Sequence, residues 1–198
     1  MPSFGSSPTR LRFKAMPRWL TVGCCCLAVV LMSGDVASPQ DAAAEGDPWR
    51  LLRMLEGRCE GTIDGRLGTG TGVREYELIL DDTYLKFEQA SVRLPQEKSP
   101  AGDHHRELSV FSFDSARQTL VLREFMVEGF VLTSTCETEG TRIVCTSERV
   151  ESGPGMRSRL TIEIIDAYSF AETFELASPG EELAVYFTNR WTRIPALR

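Results

Sequence analysis

The sequence predicts one closed antiparallel β-barrel of ten up-and-down strands, with a short N-terminal helix. Ten short β-type segments follow one another, turn residues such as Asp-Gly and Pro-Gly separate them, and no long helical pattern interrupts the series. The predicted strands are residues 58–64, 71–80, 83–94, 105–113, 118–128, 130–137, 142–150, 156–165, 168–177 and 183–194. A barrel of this kind either fills its interior with side chains or keeps a cavity.

The N-terminal region has the pattern of an export signal. A basic stretch over residues 10–18 precedes an apolar stretch over residues 19–32, which is short for a membrane span and suits the core of a signal peptide. Val36, Ala37 and Ser38 fit a small-residue cleavage site. We therefore predict a signal peptide over residues 1–38, a linker over 39–47 and a barrel domain over 48–195, exported to the periplasm or secreted. The alternative is an uncleaved segment that anchors the protein in a membrane.

A short amphipathic helix is predicted directly before the first strand. Asp47 can cap it, and Pro48 suits its first position. Leu51, Leu52 and Leu55 fall on one face, and Gly57 ends the helix. Such a helix would plug the barrel mouth or pack across its end.

Charge and motifs exclude several functions. The chain has 198 residues and a net charge of −6, and an acidic domain is a poor partner for nucleic-acid phosphates. The glycine-rich run over residues 68–72 lacks the lysine and helix of a phosphate loop, and we interpret it as a flexible hairpin. Scattered cysteines and the adjacent His104 and His105 do not have zinc-ligand spacing, so no metal site is predicted.

Three cysteines follow the predicted leader. Cys136 and Cys145 flank the turn at Gly140 and would lie opposite each other in a hairpin, where an exported protein could form a disulfide. Two buried thiols are the alternative. Cys59 is left unpaired, and we interpret it as a buried residue.

Charged residues lie within the middle strands. Whichever face of residues 118–128 points inward, the interior receives either Arg123 or both Glu124 and Glu128. A charge inside a barrel is costly unless it is paired or solvated, so the interior is not expected to be wholly apolar. Outward, solvated positions are the alternative for each residue. The candidate ligand-binding residues are Arg123, Glu128, Glu148, Arg159 and Arg190.

Residues 52–61 resemble the opening L-x-x-L-x-G-x-W-x-G motif of nitrobindin-like, fatty-acid-binding-protein-like β-barrels of the calycin superfamily, with Cys59 in place of the tryptophan. A bacterial family of unknown function is more similar still. The matching segments are residues 105–108, 123–130, 147–155 and 174–180. The resemblance covers about residues 48–195 and implies the same lipocalin-like barrel.

The resemblance also implies haem as a possible cofactor. Nitrobindin-type barrels hold haem through a histidine late in the chain, but no histidine follows His105 here, and Asn189, Arg190 and Trp191 occupy the last strand. Other side chains could bind the haem iron in principle. They are His104 or His105, at a loop edge, Tyr168, Tyr186 or a cysteine thiolate. The cofactor therefore stays open.

We expect an exported barrel that binds a small hydrophobic or amphipathic ligand in its interior. The first alternative is a cavity enzyme, isomerase-like or cyclase-like, that uses Glu128, Glu148 and Arg159; this rests on fold analogy. The second is a packed, non-binding envelope module. The expected partner is a small molecule, with no nucleic acid, and with a membrane only if the leader is retained.

Overall fold

A computed structural model describes residues 47–195, and there the chain forms a closed ten-stranded antiparallel barrel. Each strand pairs with the next, and the last pairs with the first. The elements are α1 (Arg50–Arg53), β1 (Gly57–Gly65), β2 (Gly68–Ile79), β3 (Tyr84–Arg93), β4 (Asp103–Asp114), β5 (Thr119–Met126), β6 (Val131–Glu139), β7 (Arg142–Glu151), β8 (Arg157–Ile164), β9 (Ser169–Ala177) and β10 (Ala184–Arg193). The predicted fold class is confirmed. The predicted signal peptide, residues 1–38, and linker residues 39–46 lie outside the described residues.

The glycine-rich run lies in the β1–β2 hairpin as predicted, but it is the paired start of β2 rather than a flexible segment. Its glycines allow close packing between strands. A Cβ atom on Gly70 would lie 2.5 Å from the Val92 carbonyl oxygen and 2.7 Å from the Arg93 side chain. The run is glycine-rich because neighbouring groups approach its backbone closely.

One end of the barrel is closed by α1. Asp47 accepts a hydrogen bond from the Trp49 backbone N–H at 2.9 Å, and Leu51, Leu52 and Leu55 are fully buried in the barrel core. Arg50 donates a hydrogen bond to the Gly140 carbonyl in the β6–β7 turn at 3.0 Å. The helix thus covers the end where β6 turns into β7. Within the described range, no helix is long and apolar enough to cross a membrane.

The interior changes from apolar to polar along the strands, away from α1. In order of increasing distance from α1, the inward side chains of β3 are Leu85, Phe87, Gln89, Ser91 and Arg93. Those of β4 are Phe111, Ser109, Glu107, His105 and Asp103. Antiparallel pairing brings the polar halves of these strands together, because Gln89 lies opposite Glu107 and Ser91 opposite His105.

Cys136 and Cys145 lie directly opposite each other on β6 and β7, and the structure joins them in a disulfide. Both belong to the packed core near α1. Cys59 is the free cysteine of the described residues, and burial raises the pKa of its thiol. The thiol therefore stays protonated and is a packing residue rather than a nucleophile.

Candidate functional site

A cavity of about 290 Å³ occupies the interior at the end opposite α1. Its two walls differ in chemistry. The apolar wall comes mainly from β6, β8, β9 and β10 and includes Leu132, Leu160, Phe174, Leu176 and Phe187. The polar wall comes from β3, β4 and β5 and includes Gln89, Arg93, Asp103, His105, Glu107 and Glu124. Such an amphipathic cavity, at the lower end of the size range of small-molecule sites, can orient a ligand with one apolar and one polar part.

A buried ion pair forms the floor of the cavity. The guanidinium group of Arg74 on β2 contacts the Glu172 carboxylate on β9, and the exposed fractions of the two side chains are 4% and 0%. Arg74 also donates hydrogen bonds to Gln89 Oε1 and to the Tyr76 hydroxyl, each at 2.8 Å. The Glu172 contact joins β2 to β9, which are not neighbours in the sheet, and the Gln89 bond joins β2 to β3, so the floor is a fixed polar layer.

The Glu172 carboxylate is satisfied on its other side by β10. Trp191 Nε1 donates to its Oε2 atom at 2.8 Å, and Asn189 Nδ2 donates to the same atom at 3.1 Å. Gly61 makes room for Trp191, since a Cβ atom there would lie 2.5 Å from the indole ring. The Arg74 guanidinium lies 4.5 Å from the centre of the Trp191 ring.

Two titratable groups of the floor, Arg74 and Tyr76, both have raised pKa values and keep their protons at neutral pH. Burial opposes the charge on Arg74, but the Glu172 carboxylate more than compensates and raises the pKa of Arg74. Burial also raises the pKa of the Tyr76 hydroxyl. Arg74 therefore remains a cation and Tyr76 remains neutral, and neither is a proton-transfer group near neutral pH.

His105 is held between two carboxylates in the polar wall. Its Nδ1 lies 2.9 Å from Glu128 Oε1, and its Nε2 lies 3.1 Å from Glu107 Oε2. Burial alone would lower the pKa of His105, but the hydrogen bonds and charges of these carboxylates raise it to about 9. The imidazole is thus protonated at neutral pH, and both ring N–H groups donate.

Glu124 lies deeper in the same wall. Its side chain lines the cavity, the residue is 4% exposed, and no described residue donates a hydrogen bond to its carboxyl group. Burial, together with the nearby Glu107 charge, raises the pKa of Glu124 to about 8. Glu124 is therefore largely protonated at neutral pH and is a free polar group facing the cavity.

The loop between β3 and β4 borders the open end of the cavity. Gln96 accepts a hydrogen bond from the Thr69 backbone N–H at 2.9 Å and donates one to the Thr69 carbonyl at 2.7 Å. Next to the loop, Arg93 donates to the Asp103 carboxylate at 2.8 Å. These contacts tie the loop to the start of β2 and fix this part of the rim.

Of the five residues predicted to line the interior, only Glu128 does so. Arg123 is exposed on the outer face, where it donates to Ser112 Oγ at 3.0 Å. Glu148 is exposed and paired with Arg117 at 2.7 Å. Two further arginines, at positions 159 and 190, also face outward.

The alternation of each strand explains these corrections. On β8, Leu160 and its alternate neighbours point inward, so Arg159 points outward and binds Glu175 through two hydrogen bonds of 2.5 and 2.7 Å. On β10, the inward positions include Asn189 and Trp191, which leaves Arg190 on the outer face. The prediction that these residues line the interior is wrong because it selected charges without following the alternation.

The same alternation could have located the lining residues that sequence reasoning missed. On β2, the inward series that includes Tyr76 continues to Arg74; on β9, Glu172 lies between the inward Phe170 and Phe174. His105, interpreted as a loop-edge residue, lies on β4 opposite Ser91 and faces the cavity. The signal was a polar residue at an inward position of an otherwise apolar series.

The side chains do not fit a haem iron held by histidine. Both nitrogens of His105, the only cavity-lining histidine, are occupied by carboxylates, and His104 is exposed. Tyr168 is exposed on the β8–β9 turn, and the Cys59 thiol lies in the packed core. Among the described residues, no group of three or more histidine, cysteine, aspartate or glutamate side chains is arranged to hold a metal ion. A histidine-held haem is therefore not proposed, and of the other donor residues named above only Tyr186 lines the cavity.

No protein-family model matches the chain, and no curated protein matches it. Among solved structures, the crystal structure of Rv2717c from M. tuberculosis is similar, with a TM-score of 0.54 and 14% sequence identity. The match covers 75% of this chain and 98% of that chain. The likeness shows the fold alone.

Proposed function

We propose that this protein binds a small amphipathic molecule inside its barrel. The observation that carries the proposal is the cavity of about 290 Å³ with one apolar and one charged wall. A barrel that served only as a packed module would fill this space with side chains, as its helix end does. The resemblance of residues 48–195 to nitrobindin-like and fatty-acid-binding-protein-like calycin barrels supports binding of a small molecule in the interior.

The apolar wall supplies affinity in this proposal, and the polar wall supplies orientation. Leu160, Phe174 and Leu176 would cover the apolar part of the ligand. Glu124 and the His105–Glu128 pair would face its polar part. Of the predicted ligand-binding residues, Glu128 is the one that we carry forward.

We also propose that the protein is exported. The basic and apolar leader supports this, and the Cys136–Cys145 disulfide supports an oxidising compartment. Mass spectrometry of the protein from its own host would test the proposal: a mature N-terminus after residue 38 and a mass two hydrogens below the reduced form are expected. A full-length, reduced chain would contradict it.

Native mass spectrometry of the folded protein, purified from its own host, tests ligand binding. We expect a bound small molecule that organic extraction releases. In the variant Leu67→Trp, the bound mass should be lost, because Leu67 is part of the cavity lining and is 36% exposed, so a larger side chain there obstructs the opening. Leu94→Trp is the matched control, since Leu94 is 72% exposed and outside the cavity lining. An empty wild-type protein, or equal loading of Leu67→Trp, would contradict the proposal.

A further inference from the structure

The charges that line the cavity are not balanced. Two of its cations already have carboxylate partners: Arg74 is paired with Glu172, and Arg93 is paired with Asp103. The third cation, His105, lies between two carboxylates. Each of these cations therefore has at least one carboxylate partner, and the Nε atom of Arg93 is left without one among the described residues. An anionic ligand head would have to compete with a carboxylate for each cation.

The carboxyl groups are in excess. The polar wall and the floor together hold three cations and five carboxyl groups, which are Arg74, Arg93 and His105 against Asp103, Glu107, Glu124, Glu128 and Glu172. Four of the carboxyl groups are used by the cations, and Glu124 remains without a partner. It is nine-tenths buried and faces the cavity. Its carboxyl group is therefore available to a hydrogen-bond donor that a ligand brings into the cavity.

Glu107 and Glu124 form one acidic face. Glu107 lies opposite Met126 in the β4–β5 pairing, and Glu124 lies two residues before Met126 on the same side of β5. Diagonal neighbours of this kind are about 7–8 Å apart, within reach of long side chains, and the Glu107 charge is close enough to raise the pKa of Glu124. The apolar wall lies across the cavity from these two residues.

We propose that the natural ligand is an amphipathic cation, such as an organic amine, whose ammonium group binds Glu124 and Glu107. Its apolar part contacts Leu160, Phe174 and Leu176. This inference rests on the proposed function and specifies the ligand's charge. Charge-assisted hydrogen bonds from an ammonium group supply the donors that Glu124 lacks.

Binding of such a ligand is linked to loss of a proton. In the empty cavity, the pKa of Glu124 is about 8, so the group is largely protonated at pH 7. The groups that face it are Arg74 on β2, His105 and Glu107 on β4, and Glu172 on β9. An incoming ammonium group favours the carboxylate and displaces the proton, while an alkylamine itself stays charged below about pH 10. Amine affinity should therefore rise between pH 6 and pH 8 and level off above.

Three matched probes test the ligand's charge: hexylamine, hexan-1-ol and hexanoate. Backbone amide chemical shifts of the full chain, followed during titration at pH 8, report both affinity and location. We expect hexylamine to bind in the cavity at least about tenfold more tightly than hexan-1-ol, and hexanoate to bind most weakly, since one charge-assisted hydrogen bond accounts for a tenfold effect. Glu124→Gln should lose about tenfold in amine affinity, together with its pH dependence, and keep its affinity for hexan-1-ol.

Glu124→Gln resembles the protonated group that prevails at neutral pH, so it should fold. Glu148→Gln is the matched control, because Glu148 is an exposed outer-face carboxylate, and it should bind all three probes like the wild type. Equal or tighter binding of hexan-1-ol or hexanoate, or unchanged amine affinity in Glu124→Gln, would overturn the inference and leave cavity binding intact. If no probe shifts the cavity resonances and the purified protein carries no ligand, the proposed function itself fails.

Discussion

The two ends of this barrel are built from the same ten strands but have different interiors. Near α1, the inward side chains are mainly leucine, isoleucine and phenylalanine. Five of them are 0% exposed: Leu52, Leu85, Phe111, Ile143 and Ile162. At the other end, strands β3 to β5 present charged groups across a cavity from an apolar wall. Close packing stabilises the fold at the end near α1, whereas the other end keeps an open cavity with polar groups that are incompletely satisfied.

The Arg74–Glu172 pair is the boundary between the two ends. Its disruption should lower the free energy of unfolding more than any other change considered below. Arg74→Met leaves the Glu172 carboxylate buried without its cation, which should lower the free energy of unfolding by about 3–5 kcal/mol. Arg159→Met is the control, since its pair with Glu175 is on the outer face and should cost less than about 1 kcal/mol. Urea unfolding measures both. Similar losses in the two variants would contradict the buried role of Arg74.

The packed and open ends should respond differently to the same truncation. Leu52→Ala creates a cavity in the packed end and should cost about 2–5 kcal/mol. Leu176→Ala only enlarges a cavity that already exists and should cost less than half as much. Unfolding by urea distinguishes the two, and a larger loss for Leu176→Ala would contradict this division of the barrel.

The disulfide belongs to the packed end, so its removal should affect stability more than the cavity. Cys136 and Cys145 are nine residues apart, and closure of so short a loop contributes about 2–3 kcal/mol. The double variant Cys136→Ser, Cys145→Ser should therefore unfold earlier in urea. Its hexylamine affinity should match that of the wild type within about twofold. A large loss of affinity would show that the two ends are coupled.

The charged wall should make stability depend on pH. The pKa of His105 is about 9 in the folded protein against 6.5 for the free side chain, so its stabilising contribution is complete below about pH 6.5 and is lost as the pH rises through 9. His105→Gln should be less stable than the wild type by about 1.5–3 kcal/mol at pH 6, the contribution of a hydrogen bond between charged groups. The difference should shrink towards zero by pH 10. Urea unfolding at both pH values tests this, and a constant difference would exclude a charged imidazole.

The sequence predicted the fold better than the site. The ten segments separated by turn residues predicted the ten strands in their correct order. The spacing of the leucines at 51, 52 and 55 predicted the helix that covers the barrel end. The site residues were chosen by charge, and four of the five lie outside. The alternation of β8 alone already excluded Arg159, since Leu160 and Ile162 occupy its inward face.

The orientation of other site residues could not be predicted from the sequence of a single strand. A β-bulge shifts the pairing of β6 with β7 between Thr133 and Ser134, so strict alternation does not extend through β7 to Glu148. Whether the side chain of His105 faces the cavity depends on where β4 begins. Only the structure shows that it is paired with Glu107 and Glu128 rather than exposed at a loop edge.

The sequence by itself determined the strand order, the helix and the opposed cysteines, because these follow from local periodicity and turn chemistry. Tertiary structure decided which polar residues meet inside the barrel. Arg74 and Glu172 are 98 positions apart in the chain, and closure of the barrel brings them into contact. The carboxyl group that remains without a partner, Glu124, is likewise a property of the whole interior. Its state depends on which partners the other strands have already engaged, and no single segment contains that information.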